Sequence, residues 1–368
     1  MGAYILKRLL LMIPTLLGIM LMTFVVIQFV PGGPIEKIIS DIQGTGQDAA
    51  GRVSGNTGNE AGGAAQVGAG SDVTGKYRGA QGLDPELIKD LERQFGFDKP
   101  PATRFLLMVR DYATFNFGQS YFRGRPVIDL IIEKMPVSIS LGLWLTLITY
   151  FVSIPLGIAK AVRDGSSFDI WSSAFIIIGY AIPGFIFAIM LVVVFAGGSY
   201  FSWFPLRGLT SDNFASLSWG GKILDYAWHL VLPLTAMGIS SFATMTLLTK
   251  NSFLDEIRKQ YVTTARAKGL TERQVLYGHV FRNAMLLVIS GFPGAFLSAF
   301  FAGSLLIETI FSLDGLGYLM FKAAIDRDYA IVFANLYIMT LFGLIVGLIS
   351  DLTYTWIDPR IDFESREV

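Results

Sequence analysis

Cysteine is absent from this 368-residue sequence, and histidine occurs only twice, as His229 and His279. The first absence excludes disulfides, thiol nucleophiles and cysteine metal sites; the second leaves little from which to build a zinc centre. Charge is also sparse, at 16% of residues, and its 29 basic and 29 acidic members cancel. No basic stripe on a soluble fold could follow phosphates, so nucleic acid is excluded as a partner. No Asp or Glu stands in the middle of any long apolar run, which removes the usual seat of a driving proton or sodium ion in a secondary transporter. A membrane-embedded hydrolase would need a nucleophile beside a base or a metal cluster, and two separated histidines do not supply one.

What the sequence has in abundance is apolar length. Its hydrophobic fraction of 52% and mean hydropathy of +0.53 exceed those of soluble domains. Six runs are long enough to cross a bilayer: 9–30, 137–158, 170–196, 230–248, 284–307 and 330–349. The first follows Lys7 and Arg8, exceeds a signal-peptide core and has no small-residue cleavage site, so it is expected to remain as an anchor. Alternation from those two cations puts 250–282 on the same side, and that segment carries Arg258, Lys259, Arg266, Lys268 and Arg273. Both termini are therefore expected in the cytoplasm, with loops 31–136, 197–229 and 308–329 on the other face. Pro14, Pro183, Pro233 and Pro293 lie within or near the runs and are expected as packing kinks. Gly343 and Gly347 give the last run a small-residue face for close helix approach.

The first outer loop contains an insert, 43–82, rich in Gly, Ala, Ser and Asn, which offers too little apolar surface to offset the entropy of ordering. Its stretch from Gly70 to Tyr77 looks like a phosphate-binding loop but lacks the hydroxyl after Lys76, the preceding strand and the following helix. After the insert, Asp84 and Pro85 open a helix whose Leu87, Ile88, Leu91 and Phe95 share a face, and Gly96 stops it. Between the fourth and fifth runs, Ser252 and Asp255 suggest a capping box, and no Pro or Gly interrupts a helix from there to Lys268. Gly269 supplies a left-handed stop, and Thr271 with Gln274 caps a second helix. Val262, Ala265 and Gly269 form a small-residue face open to another surface, with Arg266 and Lys268 on the other side. These residues alone leave two readings, a docking surface or a solvated loop that anchors topology.

The run Tyr261-Val-Thr-Thr-Ala-Arg-Ala-Lys-Gly269-Leu270, followed by His279-Val-Phe-Arg-Asn-Ala284, resembles the EAA coupling motif of ABC importer permeases. Thr263 and Thr264 replace the Glu and Ala of the name, as is common in the dipeptide and oligopeptide branch. Further signatures of that branch stand in order: Pro31-Gly-Gly-Pro34, Phe95 to Pro100, Phe117-Gly-Gln-Ser-Tyr121, Ile182-Pro-Gly-Phe185, Glu308 to Gly317 and Ile357-Asp-Pro-Arg360. The insert is most similar to that of the microcin C type subgroup.

The resemblance implies an all-α, six-helix permease of the type I (MetI-like) ABC importer class that is not itself an enzyme. It divides the chain into an N-terminal helix (1–30), a periplasmic loop (31–136), a five-helix core (137–350) with coupling segment 251–283, and a cytoplasmic tail (351–368). Tyr261, Thr263, Thr264, Ala265, Arg266, Ala267, Lys268, Gly269 and Leu270 would couple it to the ATPase. The chain would bind no cofactor or metal, with ATP and Mg held on two ATPase subunits or one fused ATPase. Further expected partners are a second permease, a periplasmic binding protein, membrane lipid and peptides, modified ones such as microcin C among them. Hydroxyls of Thr146, Thr149, Ser153, Ser240, Ser241, Thr244, Thr246, Ser290 and Ser298 are candidate pathway groups, though such residues also bond to their own helix carbonyls. An ion-coupled secondary transporter is the alternative.

Overall fold

A computed structural model describes residues 2–29, 35, 38–39, 85–94, 97–198, 200–301 and 305–357. Among them there is no β-strand, only one isolated antiparallel bridge between Gln119 and Pro126. The helices are α1 (Gly2–Phe29), α2 (Pro85–Gln94), α3 (Pro101–Ala113), α4 (Val127–Val162), α5 (Ser167–Ala181), α6 (Gly184–Phe195), α7 (Trp219–Ile257), α8 (Gln260–Ala267), α9 (Glu272–Val275), α10 (Phe281–Phe301), α11 (Leu305–Ile310), α12 (Leu316–Asp326) and α13 (Tyr329–Ile357). Five stretches are long and apolar enough to cross a membrane: Tyr4–Val26, Val127–Val162, Trp219–Ile257, Glu272–Phe296 and Tyr329–Thr353.

The sixth expected span, 170–196, is not one straight helix. It is broken into α5 and α6, which meet at 97°. Pro183 has no N–H to donate and forces its predecessor away from helical angles, and Ile182 stands extended at φ −86, ψ 121. Proline thus acts here as a break. Pro14, Pro233 and Pro293 are carried inside continuous helices.

The expected helix from Ser252 to Lys268 is also corrected. Ser252 lies inside α7, which runs for 39 residues, about 58 Å at 1.5 Å per residue, far beyond a hydrocarbon core of about 30 Å. The chain breaks instead at Arg258 and Lys259, without glycine or proline. Lys259 is extended (φ −72, ψ 150), its N–H bonds the Glu256 carbonyl at 3.2 Å, and its ammonium pairs with the Glu256 carboxylate. The signal is tertiary, because Phe253 and Val262, on either side of the break, are both wholly buried in one apolar cluster.

The chain divides into two compact units. The larger comprises Met1–Leu10, Lys134–Leu319 and Leu341–Val368 and holds two apolar clusters, one around Leu141, Ala188, Ala236 and Phe311, the other around Phe253, Val262 and Val288. The smaller comprises Leu11–Glu133 and Met320–Thr340. There Tyr112 meets Phe117 edge-on at 4.9 Å and Tyr337 at 5.4 Å, and Asp328 accepts hydrogen bonds from the Ser120 hydroxyl and the Tyr121 N–H. Pro85 begins α2 as expected and Ile88 is buried. The Pro31–Pro34 signature, the insert 43–82, Asp84, Phe95, Gly96 and 358–360 lie outside the described residues, as do the side chains of Leu87 and Leu91.

Candidate functional site

The segment expected to act in coupling is a bent pair, with the turn where the sequence puts it. Gly269 has φ +83, its N–H bonds the Arg266 carbonyl at 2.9 Å, and the Leu270 N–H reaches back to the Ala265 carbonyl at 3.4 Å. This is the paired closure that a left-handed residue allows at a helix end, and Leu270 and Ala265 pack into the same cluster beneath it. Thr271 then caps α9: the Gln274 N–H bonds its hydroxyl at 3.4 Å and Gln274 Oε1 accepts its N–H at 2.9 Å. Arg266 spans the turn with a two-pronged bond to Glu272, both contacts at 2.9 Å. A π-turn over Leu276–Val280 leads into α10.

One expectation about this segment is reversed. Val262 and Ala265 do not face outward, but are 0% and 6% exposed and pack on Phe253, Val275, Val280 and Met285 of the same chain. Small residues here let α8 lie close against its own membrane helices. The outward face is Thr263, Thr264, Arg266, Ala267, Lys268 and Gly269. Tyr261 bridges two spans: its hydroxyl donates to Glu256 Oε2 at 2.7 Å near the end of α7 and accepts from Asn283 Nδ2 at 3.3 Å near the start of α10. Burial, reinforced by the Glu256 carboxylate, raises its phenol above the usual range, so it stays a donor.

A cavity of about 740 Å³ opens in the larger unit. Its lining includes Thr146, Thr149, Ser240, Ser241 and Thr244, together with Tyr180, Gly184 and Phe185 from the α5–α6 bend. Among the described residues, no charged side chain lines it. Ser153 and Ser290 are not on its wall: they are buried and donate to the Phe242 carbonyl (3.2 Å) and the Leu287 carbonyl (2.9 Å). Thr246 is wholly buried away from the cavity, and the side chain of Ser298 lies outside the described residues. The bend closes on α7 tightly, since a Cβ at Gly184 would stand 3.2 Å from the Ala236 carbonyl.

A buried carboxyl escapes any reading based on apolar runs. Glu308 of α11 is wholly buried; Oε2 accepts the Tyr318 N–H at 2.7 Å, and Oε1 has no donor among the described residues. Burial pushes this carboxyl up to about 7, against the pull of the Tyr318 and Gly317 N–H groups and with a further rise from Asp314. Ser138 accepts the Leu316 N–H at 2.9 Å, and Lys134 pairs with Asp314, so the turn between α11 and α12 is tied to the N-terminal third of α4. His229 is buried, with its ring Nδ1 2.8 Å from the Asp225 carbonyl oxygen one turn earlier in α7.

Residues 153–363, which include α8 and α9, match the family model described as binding-protein-dependent transport system inner membrane component. The chain is 66% identical over 368 residues to the peptidoglycan transport system permease protein YejB of Agrobacterium fabrum, covering 100% of both chains. It is 57% identical over 366 residues to the inner membrane ABC transporter permease protein YejB of Escherichia coli O157:H7, again covering 100% of both. To the oligopeptide transport system permease protein AppB of Bacillus subtilis it is 31% identical over 368 residues, covering 99% of this chain and 100% of the relative. The chain belongs to the binding-protein-dependent transport system inner membrane component family and is a multi-pass permease subunit of an ABC importer.

Proposed function

We propose that this permease carries peptides inward across the inner membrane, driven by ATP hydrolysed with Mg on two ATPase subunits or one fused ATPase seated against residues Tyr261–Leu270. The observation that carries this reading is the placement of α8 and α9 in the same apolar cluster as α4, α7 and α10. A push on their outward face is thereby delivered to three spans. The peptide class rests on the names of the relatives, and the uncharged wall of the cavity suits cargo with varied side chains. Selection is then left to a periplasmic binding protein, and a second permease completes the passage. Both termini face the cytoplasm, with 31–136 in the periplasm. Cell-wall peptides are the favoured cargo within this class, given the name of the 66% identical relative.

The test is uptake of a labelled tri- or tetrapeptide and of a cell-wall peptide by proteoliposomes holding the full complex, with binding protein and ATP supplied. ATP-dependent accumulation of at least one is expected. Accumulation driven by a proton or sodium gradient without ATP would establish the ion-coupled alternative in its place.

A further inference from the structure

Beside the coupling pair lies a knot of charge that apolar-run reading passes over. Lys160 of α4 is wholly buried. Its three protons go to the Asp169 carbonyl (2.9 Å), the Ser172 hydroxyl (2.7 Å) and the Ser173 hydroxyl (2.7 Å), all on α5. The Asp169 carboxylate completes the site: Oδ1 stands 3.0 Å from the Lys160 ammonium, held by charge, while Oδ2 accepts from Lys250 of α7 at 2.7 Å and from the Gly165 N–H at 3.2 Å. Lys250 also lies 3.1 Å from Asp164, which in turn meets Arg258 at 3.4 Å, two residues before α8.

We propose that Asp169 is a positioning residue for transport, clamping the bent pair α5–α6 to the coupling end of α7 so that a push on α8 moves the cavity wall. This rests on the coupling reading given above. Two further close approaches make the clamp directional. At Gly157, a Cβ would fall 2.6 Å from Thr249 Cβ and 2.8 Å from the Thr246 carbonyl, so α4 and α7 are locked together close to the two lysines. At Gly179, a Cβ would fall 2.9 Å from Ile239 Cδ1, so α5 is fixed on α7 at its far end as well. Tyr180, Gly184 and Phe185, which line the cavity, follow directly. A buried ion pair adds little net stability compared with apolar packing of the same volume, whereas its geometry fixes register between the elements it joins. Here it joins the segment next to the ATPase surface with the broken helix at the passage.

The test uses the full complex with four variants: Lys250→Gln, Asp169→Asn, Lys250→Arg and the control Gly269→Val with Ala267→Glu. Membrane abundance, ATPase retention, peptide uptake and ATP hydrolysed per peptide are measured for each. Lys250→Gln, which leaves the Lys160–Asp169 pair intact, is expected to keep abundance and ATPase retention while raising ATP per peptide about tenfold, within the range of coupling between sites; Asp169→Asn leaves the wholly buried Lys160 without its counter-charge and should raise the same ratio in whatever complex remains while also lowering abundance. Lys250→Arg, which restores the bond to Asp169, should return the ratio to the parental value. A parental ratio in both Lys250→Gln and Asp169→Asn overturns the clamp, and so does loss of both variants from the membrane, which assigns the knot to folding alone. The control separates the two readings: if it still transports, the coupling assignment itself is wrong, whereas an inactive control beside a parental Lys250→Gln sinks the clamp only.

Discussion

The carboxyl group of Glu308 occupies the space that a side chain at Gly315 would need: a Cβ there would stand 2.8 Å from Cδ and Oε2 and 2.9 Å from Oε1. Gly315 precedes α12, whose first turn donates the Tyr318 N–H to this carboxylate. Gly315→Ala should expel the carboxyl and leave that buried donor unpaired, at a cost of about 1–3 kcal/mol. The readout is a lower unfolding temperature of the purified permease in detergent, and no change in Tm would contradict the contact.

The same carboxyl predicts a dependence on pH. Its ordinary value is 4.5 and burial pushes it up to about 7 in the fold, so between these limits the folded state keeps a proton that the unfolded state has lost. Stability on this account is fullest below about pH 4.5, falls as pH rises, and levels off above about pH 7 after a loss of about 3 kcal/mol. Glu308→Gln should flatten the difference in Tm between pH 5 and pH 8. An equal difference in the parent and the Gln variant would assign the pH dependence to other groups.

At Gly269 the objection to a side chain is conformational, because a Cβ there would meet nothing within 4 Å. Its φ of +83 costs a β-branched residue about 1–3 kcal/mol, while asparagine visits that region readily. Gly269→Val should therefore abolish uptake at near-normal abundance, and Gly269→Asn should retain most of it. Equal activity of the two would show that the turn is not held as described.

The two faces of α8 should separate docking from folding. Ala267→Glu and Thr264→Glu, on the outward face, are expected to weaken ATPase retention and leave abundance intact. Ala265→Glu would bury an unpaired carboxylate against Phe253 and Val275 and should lower abundance through a cost of several kcal/mol. The reverse ranking in pull-down and immunoblot would mean that the faces are exchanged.

The proposed orientation is open to a direct check, since a chain without cysteine reports cleanly on a single introduced one. An impermeant thiol reagent added from the periplasmic side should label position 62 and spare position 268. Labelling of 268 alone would invert the topology.

Much of this molecule was legible in one dimension. Apolar runs of bilayer length specify membrane helices for five of the six runs, because in lipid every backbone polar group must be satisfied within its own helix. The turn at Gly269 and the cap at Thr271 are equally local, since each depends on residues within a few positions of itself. Ile182-Pro183 could have been read as a break on the same local grounds, since proline restricts the residue before it.

What sequence spacing could not decide was orientation and partnership. The break at Arg258 contains neither proline nor glycine and exists because Phe253 and Val262 are drawn into one cluster from two directions. The same cluster turns Ala265 inward. Asp169 looks like a loop charge until α5 and α7 fold against α4 and two lysines converge on it, and Glu308 becomes a raised-pKa acid only where the loop ending at Gly317 seals it from water. Residues bearing hydroxyls divided in the same manner: Thr146, Ser240 and Thr244 line the cavity, although the Thr244 hydroxyl donates to the Ser240 carbonyl, while Ser153 and Ser290 are off its wall and donate to carbonyls. Helix formation follows from local composition and periodicity, but which face of a helix meets which neighbour depends on contacts between residues far apart in the chain, and only the tertiary structure supplies those.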